Sequence, residues 1–170
     1  MSANAMDITA TPLLPRPFAL PLGLIPTAAN SLVLANILNR LFAPELTEGE
    51  LEFLEGHVML INISDARLTY RLTLANGKLK AADKRLPHDL SIEGSIYDFL
   101  LLATRREDAD TLFFNRRLRL GGSTELGLYV KNFLDALELD DRLGPFLKLL
   151  NGATDLINRL PKLPRRPLGT

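Results

Sequence analysis

With 170 residues the chain is most simply one domain, long enough to bury about two-thirds of the surface its unfolded form would expose. Its 20 basic and 20 acidic residues cancel, so it lacks the broad basic face that a nucleic-acid footprint requires. The absence of cysteine excludes disulfides, thiol catalysis and cysteine-ligated metal or iron–sulfur sites. The charge that remains is unevenly placed. Residues 45–56 (ELTEGELEFLEG) hold acids and no base, whereas residues 142–170 hold six bases against the single acid Asp155. A basic end of this kind suits contact with an anionic membrane surface.

Residues 1–27 contain Pro12, Pro15, Pro17, Pro21 and Pro26, each fixing φ and removing a backbone donor, so an extended N-terminal arm is expected. Pro17–Asn39 carries no charge and is long enough to span a bilayer. Its three prolines, Gly23 and three asparagines make it a poor continuous membrane helix, and the first base, Arg16, comes late for a signal peptide. An apolar arm leading into an amphipathic helix fits better. That helix is expected over about 28–43, with Val33, Leu34, Ile37, Leu38, Leu41 and Phe42 on one side, Asn36, Asn39 and Arg40 opposite, and a stop before Pro44.

The period then changes. HVMLINI (57–63) is an apolar strand candidate, and LTYRLTL (68–74) alternates strictly, with Leu68, Tyr70, Leu72 and Leu74 on one face. Ala75-Asn76-Gly77 follows, Asn-Gly being the favoured pair where both turn residues need φ > 0, and KLKAA (78–82) returns as the hairpin partner. LSIEG (90–94) and RLRLG (117–121) also alternate, with Leu90/Ile92 and Leu118/Leu120 facing one way. Together they describe a sheet with one apolar and one wet face.

Helices fill the rest. SIYDFLLLATRR places Ile96, Phe99, Leu100 and Ala103 in one stripe, which Leu101 and Leu102 widen beyond what a surface helix needs. STELGLYVKNFLDALEL gives Leu126, Val130, Phe133, Leu134 and Leu137. A last helix over about 143–160 sets Leu143, Phe146, Leu147, Leu150, Ala153, Ile157 and Leu160 on one side, before Pro161, Pro164 and Pro167. The organisation expected is an arm at 1–27, one domain at 28–160 and a basic proline-rich tail at 161–170.

Catalytic patterns are missing where they would have to be. The two histidines, His57 and His88, have neither HxH nor HxxxH spacing, and no GxSxG marks a serine nucleophile. Gly121-Gly122-Ser123-Thr124-Glu125 lies where phosphate loops lie, but it lacks the Walker lysine, and Glu125 would repel a phosphate. A turn with Ser123 or Thr124 as helix cap explains it. Glu107, Asp108 and Asp110 sit among Arg105, Arg106, Arg116 and Arg117, and ion pairing at a helix–turn–strand corner accounts for them. What remains is an excess of apolar helix surface over one apolar sheet face. Pattern alone leaves two readings open, a thick core or an apolar cavity.

Leu112-Phe113-Phe114, Leu118-x-Leu120-x-Gly122, Leu126-Gly127-Leu128 and Lys131 resemble the C-terminal signature of sterol-carrier-protein type 2 domains. The longer run ATRREDADTLFFNRRLRLGGSTELGLYVKNFLDALEL, with ELEFLEG at 50–56, is similar to the bacterial UbiT branch, accessory factors of ubiquinone biosynthesis. The likeness covers about residues 46–139. Ala109, Gly121 and Ser123 depart from that branch, where proline, an acid and aspartate are common. The resemblance implies an α+β fold, a mainly antiparallel sheet of about five strands with helices on one face enclosing an apolar cavity. It implies a cytoplasmic, non-enzymatic carrier of a polyprenylated quinone intermediate or phospholipid, in oxygen-independent ubiquinone biosynthesis, with iron–sulfur hydroxylase-type partners, peripheral contact with the inner face of the cytoplasmic membrane, and no cofactor. Phe99, Ala103, Phe113, Leu126, Val130, Phe133 and Leu137 are the expected lipid-contact residues. The alternative is a protein-interaction scaffold without a functional cavity.

Overall fold

A computed structural model describes residues 26–137 and 140–159; residues 1–25 of the proposed arm and the proposed tail lie outside them, as do the apolar side chains expected on the last helix, whereas Thr27 already opens a helix. Five strands, β1 (Val58–Ile63), β2 (Leu68–Ala75), β3 (Lys78–Ala81), β4 (Leu90–Gly94) and β5 (Arg119–Gly122), form one sheet in the order β3-β2-β1-β4-β5. All neighbours are antiparallel except β1 and β4. The helices are α1 (Thr27–Leu41), α2 (Ala43–Glu48), α3 (Ile96–Ala103), α4 (Ala109–Phe114), α5 (Thr124–Ala136) and α6 (Asp140–Arg159), the last broken at Gly144. The class is α+β.

Register explains the apolar face. Residues paired across strands share a face, so Ala81, Leu72, Met59 and Leu90 form one row and Tyr70, Ile61, Ile92 and Leu120 the next. The β2–β3 hairpin turns on Asn76 and Gly77, with φ of 53° and 69°, the left-handed pair that the dipeptide favours.

Three local expectations need correction. The helix before Pro44 ends at Leu41, and Pro44 lies in the first turn of a second helix, α2, where its missing N–H would be unpaired in any case. On α1, Val33 and Ile37 are exposed rather than buried. The helix docks through Leu34, Ala35, Leu38 and Leu41 and also through polar residues: Asn39 bonds both the N–H and the C=O of Leu79, each at 2.8 Å. Ser31 Oγ accepts the Arg71 N–H at 2.8 Å. Backbone groups of the β2–β3 hairpin that need partners have turned the helix through part of its apolar stripe.

The third correction concerns Leu118, expected to share a face with Leu120. The chain takes a left-handed turn at Arg116 (φ 56°), and the N–H groups of Arg117 and Leu118 both reach the Leu112 carbonyl. Leu118 is thereby wrapped onto the end of α4, in a small cluster with Leu101 and Leu112, while Leu120 packs on the main core.

Candidate functional site

The main core is incomplete. Between the sheet and the helices lies a cavity of about 300 Å³, at the lower end of the range typical of small-molecule sites. Its floor is Met59, Ile61 and Ile63 of β1 with Tyr70, Leu79 and Ile92. Leu34, Leu38 and Leu41 of α1, then Phe42, Leu51, Phe53 and Leu54, wall one side. Phe99, Leu102 and Ala103 of α3 and Val130, Phe133, Leu134 and Leu137 at α5 wall the other. Phe42 and Phe133 meet edge to face at 5.3 Å, joining the two walls. The lining is apolar apart from two side chains, Tyr70 and Arg105. Burial raises the Tyr70 pKa, so its hydroxyl is a neutral donor at physiological pH.

Of the residues expected from sequence, Phe99, Ala103, Val130, Phe133 and Leu137 line this cavity. Leu126 and Phe113 do not, and for both the expected position needs correction. Leu126 is buried one turn earlier on α5, within the core beside the Phe53–Tyr129 groove. Phe113 packs against the small cluster of Leu101, Leu112 and Leu118. Helical spacing cannot separate these positions, because a helix packed between two apolar regions presents hydrophobic residues to both.

That is also why α3 is apolar nearly all round. Leu101 faces the sealed cluster, Ala103 faces the cavity, and Phe99 and Leu102 touch both. The helix start is fixed by a capping box. Ser95 Oγ accepts the Asp98 N–H at 3.2 Å, and the Asp98 carboxylate takes the Ser95 N–H and hydroxyl at 3.2 and 2.6 Å. Asp98 is buried and ion-paired with Arg117, Nη2 lying 2.6 Å from Oδ1. The charged corner is therefore organised around Asp98, an acid outside the cluster of charges that drew attention in the sequence. Its other members also have structural partners. Arg106 pairs with Asp155 at 2.7 Å, Lys131 with Asp110, and Asp108 caps α4 through Thr111. The bond from the Thr111 N–H is the main cause holding the Asp108 carboxyl below its usual value.

Arg105 was missed as a site residue. It follows α3 at φ 52°, a left-handed position where glycine is usual and a side chain costs about 1 kcal/mol or more. Its guanidinium Nη1 donates to the Leu137 carbonyl at the end of α5, bringing a charge to the cavity wall. A sequence signal would have been the position just past a helix C-terminus, occupied by a long cation instead of glycine.

The Gly-Gly turn is structural. Gly122 has φ 83°, and a Cβ there would lie 2.3 Å from the Asp89 carbonyl oxygen. Ser123 Oγ accepts the Leu126 N–H as the cap of α5. A separate groove unites His57, Asp89 and Ser123, a combination hidden by their separation in sequence. His57 Nδ1 stands 3.5 Å from Asp89 Oδ2, which also takes the Val58 N–H at 2.8 Å. The roles on view are ties between β1, β4 and α5.

A five-stranded sheet with helices closed over an apolar chamber is the architecture of a lipid carrier, and residues 35–135 match the SCP-2 sterol transfer family. The chain belongs to that family, and within it to the UbiT branch. It is 43% identical to the ubiquinone biosynthesis accessory factor UbiT of Escherichia coli (strain K12) over 126 residues, 74% of this chain and 72% of that protein. The same identity and coverage hold for UbiT of Escherichia coli O157:H7. Among solved structures, the UbiJ-SCP2 ubiquinone synthesis protein superposes with a TM-score of 0.50 at 14% identity, covering 62% of this chain and 92% of that one. That likeness shows the fold.

Proposed function

We propose that the chain is a non-enzymatic carrier that holds a polyprenylated quinone intermediate or a phospholipid for oxygen-independent ubiquinone biosynthesis. The observation behind this reading is a cavity walled almost wholly by apolar side chains, in a relative of a ubiquinone biosynthesis accessory factor. Removing a hydrocarbon chain from water is favourable by about 0.8 kcal/mol per CH₂, so binding needs no directional chemistry along most of the wall. Phe99, Ala103, Val130, Phe133 and Leu137 are the contacts this reading assigns. Lipid extraction and mass spectrometry of the purified protein test it. Recovery of one lipid or quinone class in near-stoichiometric amount is expected; its reproducible absence overturns the reading.

The protein partners proposed are enzymes of the same route, of the iron–sulfur hydroxylase type, and co-purification with such a hydroxylase checks that part. The location proposed with this reading is the cytoplasm, with the basic tail touching the membrane surface. Among the described residues no helix is long and apolar enough to cross a membrane. The alternative, an interaction scaffold, draws on Leu32, Val33 and Ile37, which stand 56%, 60% and 45% exposed on the outer face of α1. A scaffold without a working cavity would keep its partners when the cavity is filled.

A further inference from the structure

We infer that Arg105 is the head-group reader of the cavity, selecting ligands whose apolar chain ends in a carboxylate or phosphate. This rests on the carrier reading and adds a specificity residue to it. Arg105 is the only charged side chain in the described wall, and it is also exposed to solvent. A side chain that faces both the chamber and the solvent stands at an opening. A bound chain therefore has its polar end beside this guanidinium.

The neighbouring charges leave Arg105 available for that task. Arg106 is engaged by Asp155 and Asn151, and Arg117 by Asp98 and Glu107. Asp108 is used as a helix cap. Arg105 has no carboxylate within ion-pair distance among the described residues, and its hydrogen-bond partner among them is the Leu137 carbonyl, bonded by Nη1. That contact aims the guanidinium across the ends of α3 and α5 and leaves other N–H donors of the fork to be used. Glu107, Asp108 and Asp135 line the adjacent groove together with Arg105, so an anion must bind in the guanidinium plane to outweigh them. A planar fork meets a carboxylate or phosphate in that way, with two parallel bonds. Tyr70, the other polar group of the wall, is neutral and cannot discriminate by charge.

The test is displacement of the uncharged dye Nile red at pH 8 by hexadecanoic acid, hexadecanol and acetate, in the wild-type protein, Arg105→Gln and Arg105→Lys. The acid should displace the dye at concentrations about tenfold or more below the alcohol, the scale of a hydrogen bond to a charged group. Arg105→Gln should abolish that preference by bringing the acid and alcohol curves together, and Arg105→Lys should retain part of it. Equal acid and alcohol curves in the wild-type protein overturn the head-group role and leave the carrier intact. Loss of both curves in Arg105→Gln also overturns it, making the residue a structural pin on Leu137. If no chain displaces the dye from the wild-type protein, the carrier reading itself fails. Micromolar acetate saturating a shift of the Arg105 Nε–H resonance would mark a free-anion site and reject lipid selection.

Discussion

Two apolar regions meet on α3, and they differ in what surrounds them. On one side Leu101, Leu112 and Leu118 are packed closed, with Leu112 fully buried. On the other side Phe99, Leu102, Ala103 and Leu134 are only partly buried and border the chamber of about 300 Å³. Atoms in the closed cluster have neighbours in every direction and contribute their dispersion and burial to stability. Atoms of the chamber wall lack partners on one side, so part of their contact energy is still available to a ligand. The same residue types thus hold the fold in one region and leave apolar surface for the proposed ligand in the other.

The largest effect is expected in the closed cluster. Leu112→Ala should lower the unfolding free energy by about 4 kcal/mol, because a cavity forms where nothing can relax into it. Urea unfolding measures the loss, while lipid bound per folded molecule should stay unchanged; a parallel loss of lipid would mean that the two regions are coupled. Asp98→Ala follows at about 3 kcal/mol, since it removes both the Asp98 half of the α3 capping box and the partner of a largely buried Arg117. Thermal unfolding checks this, and Asp98→Asn should recover part of the cap but not the ion pair.

On the chamber side the effects should reverse. Ala103→Phe fills space that is already empty, so stability should change by less than about 1.5 kcal/mol in either direction. Lipid recovered by extraction should nevertheless fall several-fold. Destabilisation with full lipid occupancy would show that Ala103 does not face the ligand.

The smallest effect expected is electrostatic. Asp108 and Asp155 are both held below the ordinary value of 3.8, Asp108 chiefly by the Thr111 N–H and Asp155 chiefly by its bond to Arg106. A carboxylate with a depressed folded-state pKa adds stability that is fully present above its unfolded value and is lost as pH falls through the folded one. Stability measured by denaturant unfolding should therefore fall as pH drops below about 4, and Asp108→Ala should flatten that decline. Both groups lie at the surface, so the contribution is modest, and for the Asp155 pair it should shrink in high salt.

Much of this was legible in the chain because it is local. Asn76-Gly77 names its own turn, Ser123 its own helix, and strict alternation from Leu68 to Leu74 its own face. Five wall residues were readable for the same reason, each lying on a stripe at helical spacing. The residues missed or misplaced depend on partners distant in sequence. Asn39 closes a strand edge at Leu79, 40 positions away. Asp98 meets Arg117 across 19 positions, and Arg105 reaches Leu137 across 32.

By itself, the sequence determined the hairpin, the capped start of α5 and an excess of apolar helix face, since each follows from backbone preference or the period of hydrophobic residues; the α+β class came with the family resemblance. Only the tertiary structure decided that the excess divides into a closed cluster and an open chamber. Periodicity says that a side chain leaves water; it does not say whether packed atoms or an empty volume lie opposite. It also decided where the chamber meets charge, because the position of Arg105 depends on the ends of two helices being brought together by the sheet beneath them.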